Sequence, residues 1–371
     1  MSWDDRIDLY ERIEAHRKRP LIAYVTSKRD GCDASMSSDA LPQIIEQIDK
    51  LPNETKALDL LIASYGGDPM VAWRVMSLLR QRVEHVGVLV PQSAYSAATL
   101  ITFGADEIVM HPYGHLGPVD MQITSWGDNG RPTHFSTEDV AAFLEFVRDN
   151  LKITDQEHVR TLFELTCKEV GSLGIGFTSR SAKLAIDLGE RRLLALHMHE
   201  DEHRAKLRTI VQNMTTKFQS HGYTVSRREA IDIGLPVKKE RDEVLEKLMW
   251  DTWLLIERDL KERTPFDPLL ELMKSNEASK LLAPVPLINL PMAASASAHF
   301  STTIADVMSA STITVEPVDF ELKLAIVESS RSASAHTTKG KILATRNPDL
   351  AIKYQVVTTS REWENVSKSK N

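Results

Sequence analysis

Apolar residues along the first third of this chain occur alternately in unbroken runs and at helical spacing. Leu21–Thr26, Ala57–Ala63 and Val86–Val90 are apolar at nearly every position. Such runs suit strands covered on both faces, as in a parallel sheet. Between the first two, Asp39–Leu51 carries Leu41, Ile44, Ile45 and Ile48, which fall on one face of a helix. The pattern predicts strands at 21–26, 57–63, 86–90 and 107–110, with helices at 39–51, 69–83 and 96–104. A charged helix over 4–18, stopped by Pro20, precedes them. Alternation with short links implies right-handed crossovers and a mainly parallel sheet.

Farther on, residues 121–134 are rich in Gly, Asp, Asn and Pro and read as an exposed loop. Ser136-Thr-Glu-Asp139 and Thr154-Asp-Gln-Glu157 resemble capping boxes and open two helices. A long helical stretch is expected over 178–217, then a short strand, Tyr223–Val225. Ser226-Arg-Arg-Glu229 starts another helix, which Gly234 and Pro236 end. After about residue 276 the composition shifts: 282–312 is rich in Ala, Ser, Pro and Met, and 312–328 and 340–359 alternate like strands around an Asn347-Pro348-Asp349 turn. This divides the chain into 1–276 and a β-rich C-terminal module, 277–371, of unassigned role.

Composition narrows the class. The 371 residues, 42% hydrophobic and 26% charged, describe an ordinary globular protein. A net charge of −7 gives no reason to expect nucleic acid as partner. The two cysteines, Cys32 and Cys167, lack CxxC spacing, which argues against a cysteine zinc site or a disulfide framework and fits a reducing cytoplasm. The charged N-terminus has no apolar core of a signal peptide, and no run of about 18 apolar residues predicts a membrane span.

Chemistry concentrates in two small-residue turns. Tyr65-Gly66-Gly67-Asp68 follows the second apolar run, and Ala94-Tyr95-Ser96-Ala97-Ala98 follows the third. Ligands of parallel sheets sit at the carboxyl ends of strands. A glycine pair there offers bare backbone N–H groups, although a pair of glycines also serves simply to turn the chain. Ser96 stands at a helix start, where serine usually caps, yet its neighbours Ala94, Ala97 and Ala98 let a substrate approach the backbone. Together the turns supply a nucleophile and an oxyanion hole, the requirements of acyl transfer.

Four ordered motifs resemble the Clp/crotonase fold, and more narrowly the serine dehydrogenase proteinase family, relatives of signal peptide peptidase A. They are Ser64-Tyr-Gly-Gly-Asp68, the stretch Pro91–Leu100, the stretch Ala105–Pro112, and Leu116-Gly-Pro-Val-Asp120. The likeness covers about residues 20–237, taking in Ser220–Tyr223 and the stretch Glu229–Val237. Ala98, Met121 and Gln92 depart from the residues common in relatives. The resemblance implies an α/β spiral of β-β-α units and a soluble serine endopeptidase acting on peptide or unfolded protein. It further implies Ser96 as nucleophile, Gly67 and the Ala97 N–H as oxyanion hole, and a homo-oligomer.

The general base stays open. A serine hydroxyl needs one within hydrogen-bond reach. His221 precedes the short strand that ends the likeness; His111 and His115 flank Pro112 where Clp proteases draw their histidine. Asp120 stands where crotonases carry an acid, and signal peptide peptidases use a lysine, for which Lys152 or Lys168 are available. Asp120 as a turn brace and the lysines as solvated helix residues are the plainer readings. The topology favours His221, and Asp120 stands with Ser96 and His221 among the catalytic candidates.

A second chemistry is written into His199-Glu200-Asp201-Glu202-His203, which satisfies the His-Glu-x-x-His pattern of zinc hydrolases, with His221 available as a third ligand. The segment is highly charged, as solvated helices are, and the serine constellation already accounts for the motifs, so no metal or other cofactor is expected. The alternatives are a non-catalytic scaffold whose C-terminal module recruits a partner and, behind it, the zinc hydrolase.

Overall fold

The computed structural model describes residues 2–32, 34–119, 122–126, 132–198, 201–215, 218, 222–284, 308 and 311–368. In chain order the first elements are α1 (Asp4–Arg17), β1 (Leu21–Thr26), α2 (Leu41–Asp49), β2 (Ala57–Ala63), α3 (Pro69–Arg82), β3 (His85–Val90), β4 (Ser93–Ala94), α4 (Ala97–Phe103), β5 (Glu107–Met110) and β6 (His115–Leu116). Next come β7 (Gln122–Trp126), β8 (Pro132–Ser136), α5 (Thr137–Glu145), α6 (Gln156–Val170), α7 (Ser172–Asp187), α8 (Asp201–Thr215), β9 (Val225–Ser226) and α9 (Arg227–Ile233). The chain closes with α10 (Glu243–Asp259), α11 (Pro268–Met273), β10 (Ile313–Glu328), β11 (Ala333–Arg346) and β12 (Ile352–Val366).

One seven-stranded sheet, ordered β12-β11-β10-β1-β2-β3-β5, organises the molecule. β1, β2, β3 and β5 are parallel, with Leu21 opposite Asp59, Leu61 opposite Leu89 and Val88 opposite Ile108. Alternate residues face opposite sides of a strand. Ile22, Tyr24, Leu58, Leu60, Ile62, Val88 and Val90 pack with residues of α2, α3 and α4. Leu21, Ala23, Val25, Leu61, Ala63 and Leu89 pack with α1 and α10. Both faces are therefore covered, which is why these strands read as continuous apolar runs. Each large side chain fully buried in this way contributes roughly 1.5–3 kcal/mol.

The C-terminal strands extend this sheet: β10 runs antiparallel to β1, from Ala23 opposite Glu328 to Thr26 opposite Ala325. A buried ion pair fixes the junction, Arg6 donating to both Glu328 oxygens at 2.6 and 2.9 Å. At the amino-terminal end of the parallel strands, Arg17 and Arg19 bracket Asp59 at 2.7 and 2.9 Å. Burial pushes the Asp59 carboxyl up to about 6, against the pull of Arg17. That end is filled by charge pairs, and the opposite end carries the two turns.

Three elements differ from their sequence expectations. The expected loop at 121–134 contains a hairpin, β7 against β8, with Ile123 opposite Phe135. Its strands are mostly polar, so the two-residue period is faint and the glycines at 127 and 130 dominate the pattern. The expected continuous helix at 178–217 begins at Ser172 and changes winding at Leu188–Leu193, a π-turn, and Leu194–Leu196, a 3₁₀ turn. Gly189 lies within this break, where a Cβ would come within 2.9 Å of Val211 on α8; the helices approach too closely there for a larger residue. The short strand expected at Tyr223–Val225 is Val225–Ser226.

Candidate active site

The two turns meet at the carboxyl ends of β2 and β3. The Ser64 N–H donates to the Ser93 carbonyl at 3.0 Å, and the Tyr95 N–H donates to the Ser64 carbonyl at 2.9 Å. This ladder continues past the strands and brings Gly66 against Ser96. A Cβ on Gly66 would lie 2.6 Å from the Tyr95 carbonyl oxygen, 2.8 Å from Ser96 Cβ and 2.9 Å from the Ala97 nitrogen. Gly66 and Gly67 have φ of 99° and 151°, values that L residues rarely adopt. Met36 locks the outer side of the turn: its N–H donates to the Gly66 carbonyl at 2.7 Å, and its carbonyl accepts from the Asp68 N–H at 2.9 Å. Asp68 then caps α3, accepting from the Met70 N–H at 2.8 Å.

Ser96 is half-buried and has φ 52° and ψ −117°. A non-glycine residue in this region costs roughly 1–3 kcal/mol and persists only where its surroundings over-determine it. Ser96 stands at the N-cap of α4, yet its hydroxyl makes no cap hydrogen bond. The ordinary role of a serine at a helix start is thus not taken up. The N–H groups of Gly67 and Ala97 donate no hydrogen bond among the described residues.

A small second sheet, β4-β6-β9, frames the turn. Ser93 lies opposite His115, and His115 lies opposite Ser226. Thr99 Oγ1 donates to the carbonyls of Ala94 and Gly117, at 2.7 and 2.9 Å, and so ties the nucleophile turn to the segment after β6. The Tyr95 ring is edge-on to Tyr65 at 5.5 Å and to His115 at 5.4 Å. Burial, helped by the charge of Lys28, holds the His115 imidazole below its ordinary value.

The other candidate bases are distributed as follows. His111 is 6% exposed and stacks on Trp250 of α10 with centroids 4.9 Å apart. Its Nδ1 accepts from the Tyr113 N–H at 3.1 Å, and burial lowers its pKa. No contact joins it to Ser96 among the described residues. Lys168 is exposed in the last turn of α6, and Lys152 is exposed just before that helix. Asp120, His221, His199 and Glu200 lie outside the described residues. His203 lies on α8, and its side chain is likewise outside the description. Among the described residues, no group of three or more His, Cys, Asp or Glu could hold a metal.

Residues 36–130 match the family model described as ClpP-like SDH-type serine proteinase. Both turns and Ser96 lie inside the matched segment. Two uncharacterized proteins of Methanocaldococcus jannaschii are similar. One is 36% identical over 81 residues, 22% of this chain and 28% of the relative. The other is 34% identical over 74 residues, 20% of this chain and 25% of the relative. The chain thus matches about a quarter of the length of each relative.

Among solved structures, a mutant of the 1510-N membrane-bound stomatin-specific protease overlaps 62% of this chain and 84% of its own, at 16% identity and a TM-score of 0.36. A second mutant of that protease, in complex with a substrate peptide, gives 16% identity and a TM-score of 0.34 over 62% and 80%. A probable enoyl-CoA hydratase/isomerase from Mycobacterium abscessus gives 16% and 0.29 over 72% and 82%. No residue role carries over from overlaps at this level. The architecture is α/β, a parallel sheet joined to C-terminal antiparallel strands.

One residue of the site escaped the sequence reading. Lys28, just past the end of β1, is buried beside the nucleophile turn, with its Nζ 2.9 Å from Ser93 Oγ. A lysine two positions beyond a mostly apolar strand is its sequence signal.

Proposed function

We propose that this protein is a serine endopeptidase. The supporting observation is Ser96 itself: a serine in a rare backbone conformation, with an uncapping hydroxyl, packed against a glycine turn. In this reading Ser96 Oγ attacks a peptide carbonyl, and the N–H groups of Gly67 and Ala97 receive the developing oxyanion. Collapse of the tetrahedral species expels the amine, and water then hydrolyses the acyl-enzyme. Labelling of folded wild-type protein by a fluorophosphonate tests the reading. A wild type that stays unlabelled favours a scaffold. A homo-oligomer and a cytoplasmic setting belong to the same proposal. The first rests on the family resemblance and the second on a sequence with two cysteines, Cys32 and Cys167, that lack CxxC spacing.

His221 is the proposed base, with Asp120 as the accompanying acid. Support comes from the chain that follows His221: Val225–Ser226 pairs with His115–Leu116, one strand away from Ser93–Ala94. His221→Ala is expected to lower turnover about 10²–10⁴-fold with little change in substrate binding. Wild-type turnover in that variant, with loss in His111→Ala or Lys168→Ala, would transfer the role. Chelation is expected to leave hydrolysis intact, and the purified protein to carry no stoichiometric zinc. One zinc per chain, lost on His199→Ala, would establish the metal chemistry instead.

A further inference from the structure

Lys28 is a buried cation to which the proposed mechanism assigns no task, and its surroundings define one. Its Nζ donates to Ser93 Oγ at 2.9 Å and to Gln92 Oε1, the two side chains that open the turn leading to Ser96. The ammonium lies 4.2 Å from the Trp253 ring centroid on α10 and 5.4 Å from that of Tyr65, which precedes Gly66. Glu262, in the loop after α10, is 3.7 Å away; the Lys28 and Glu262 side chains are 5% and 8% exposed. One charge therefore touches the nucleophile turn, the glycine turn and α10 at once.

We propose that Lys28 is a positioning residue that clamps the Gln92–Tyr95 turn and so holds Ser96 in its strained conformation for attack. The inference rests on the reading of Ser96 as nucleophile. The ammonium is directed at Gln92 and Ser93, and among the described residues no hydrogen bond joins it to Ser96, so it acts through the turn rather than on the reacting atoms. Backbone bonds from Ser64 fix one edge of the turn and Thr99 fixes its end, while Lys28 holds the side chains of both residues that open it, Ser93 Oγ itself donating to Gln92 Oε1. A clamp of this kind is charge-dependent, because charge-assisted hydrogen bonds are roughly twice as strong as neutral ones. Burial pushes the ammonium down to about 8, although Glu262 and Glu257 raise it. Among the described residues, Tyr65 and His115 also face it, and Tyr95 packs against both of these. Burial raises Tyr95 and lowers His115, which moves both away from that value.

The test is the rate of fluorophosphonate labelling of Ser96 across about pH 6–10, with near-ultraviolet circular dichroism as the check on folding. Wild type is expected to show a descending limb with a midpoint of about 8, as the clamp loses its charge. Lys28→Arg should stay within about threefold of wild type at neutral pH and lack that limb, because guanidinium does not titrate there. Lys28→Met should label roughly tenfold more slowly or worse while keeping its spectrum. If loss of the Glu262 partner unfolds Lys28→Met, the double variant Gln92→Leu with Ser93→Ala removes the acceptors instead and should show the same loss. A labelled wild type without the limb overturns this inference alone, as does a limb that survives in Lys28→Arg. So does wild-type labelling in folded Lys28→Met or in the double variant. A wild type unlabelled at every pH overturns the nucleophile reading, and the inference with it.

Discussion

Ser96→Ala is expected to abolish covalent labelling by a fluorophosphonate and to lower peptide hydrolysis about 10⁴-fold or more. The size of the effect follows from the chemistry: without Oγ no acyl-enzyme forms, and only binding and oxyanion stabilisation remain. Stability should barely move, within about 0.5 kcal/mol. The hydroxyl is half-buried and caps nothing, so its removal orphans no donor. Alanine also meets the same φ of 52° with a side chain of similar bulk at Cβ. A large activity loss with an unchanged melting temperature would separate a nucleophile from a structural serine. Equal labelling of wild type and variant would place the reactive hydroxyl elsewhere in the chain.

The same division between position and chemistry governs what could be read before the fold was known. β1, β2 and β3 were legible almost to the residue, because strands such as Ala57–Ala63 are covered on both faces and show an unbroken run. β10 and parts of β11 and β12 were legible as strands, but not β10 as the neighbour of β1. A two-residue period reports which side chains share a face, not which strand lies alongside. The hairpin of β7 and β8 was missed because its residues are mostly polar. α10 has an amphipathic pattern, but nothing in it indicates that Trp253 lies over Lys28 or that Trp250 stacks on His111.

Within the site, legibility tracked local chemistry. Gly66, Gly67 and Ser96 announce themselves because tight backbone geometry restricts which residues can stand there. Their juxtaposition is now geometric, through the ladder from Ser64 to Ser93 and Tyr95. Lys28 was silent because its burial is made by Trp253 and Glu262, more than two hundred positions along the chain. His111 and His115 looked equivalent around Pro112. The structure distinguishes them: His111 is held in an aromatic stack with Trp250, and His115 borders Tyr95 beside the nucleophile turn.

The glycine turn gives the second large expected effect. Gly66→Ala should reduce hydrolysis about 10⁴-fold and destabilise the fold by roughly 2–4 kcal/mol. Two costs combine in the stability term. Alanine at a φ of 99° is strained, and its Cβ would stand 2.6 Å from the Tyr95 carbonyl oxygen and 2.8 Å from Ser96 Cβ. Neither neighbour can yield easily, because Tyr95 is tied to Ser64 through its N–H and Ala94 to Thr99 and Gly117. The turn therefore moves as a unit, carrying Ser96 away from the N–H groups proposed to receive the oxyanion. Loss of one oxyanion donor costs about 10²–10³ in rate. A misplacement of about 1 Å costs a further 10²-fold or so. Gly176→Ala is the matched control: on α7 an added Cβ meets nothing within 4 Å, so activity should be unchanged and stability equal or slightly higher. The decisive measurement is the labelling rate of folded Gly66→Ala at a temperature well below its melting point. A wild-type rate there would mean that the glycine turn shapes the fold but not the nucleophile, and the oxyanion donors would have to be sought on another segment.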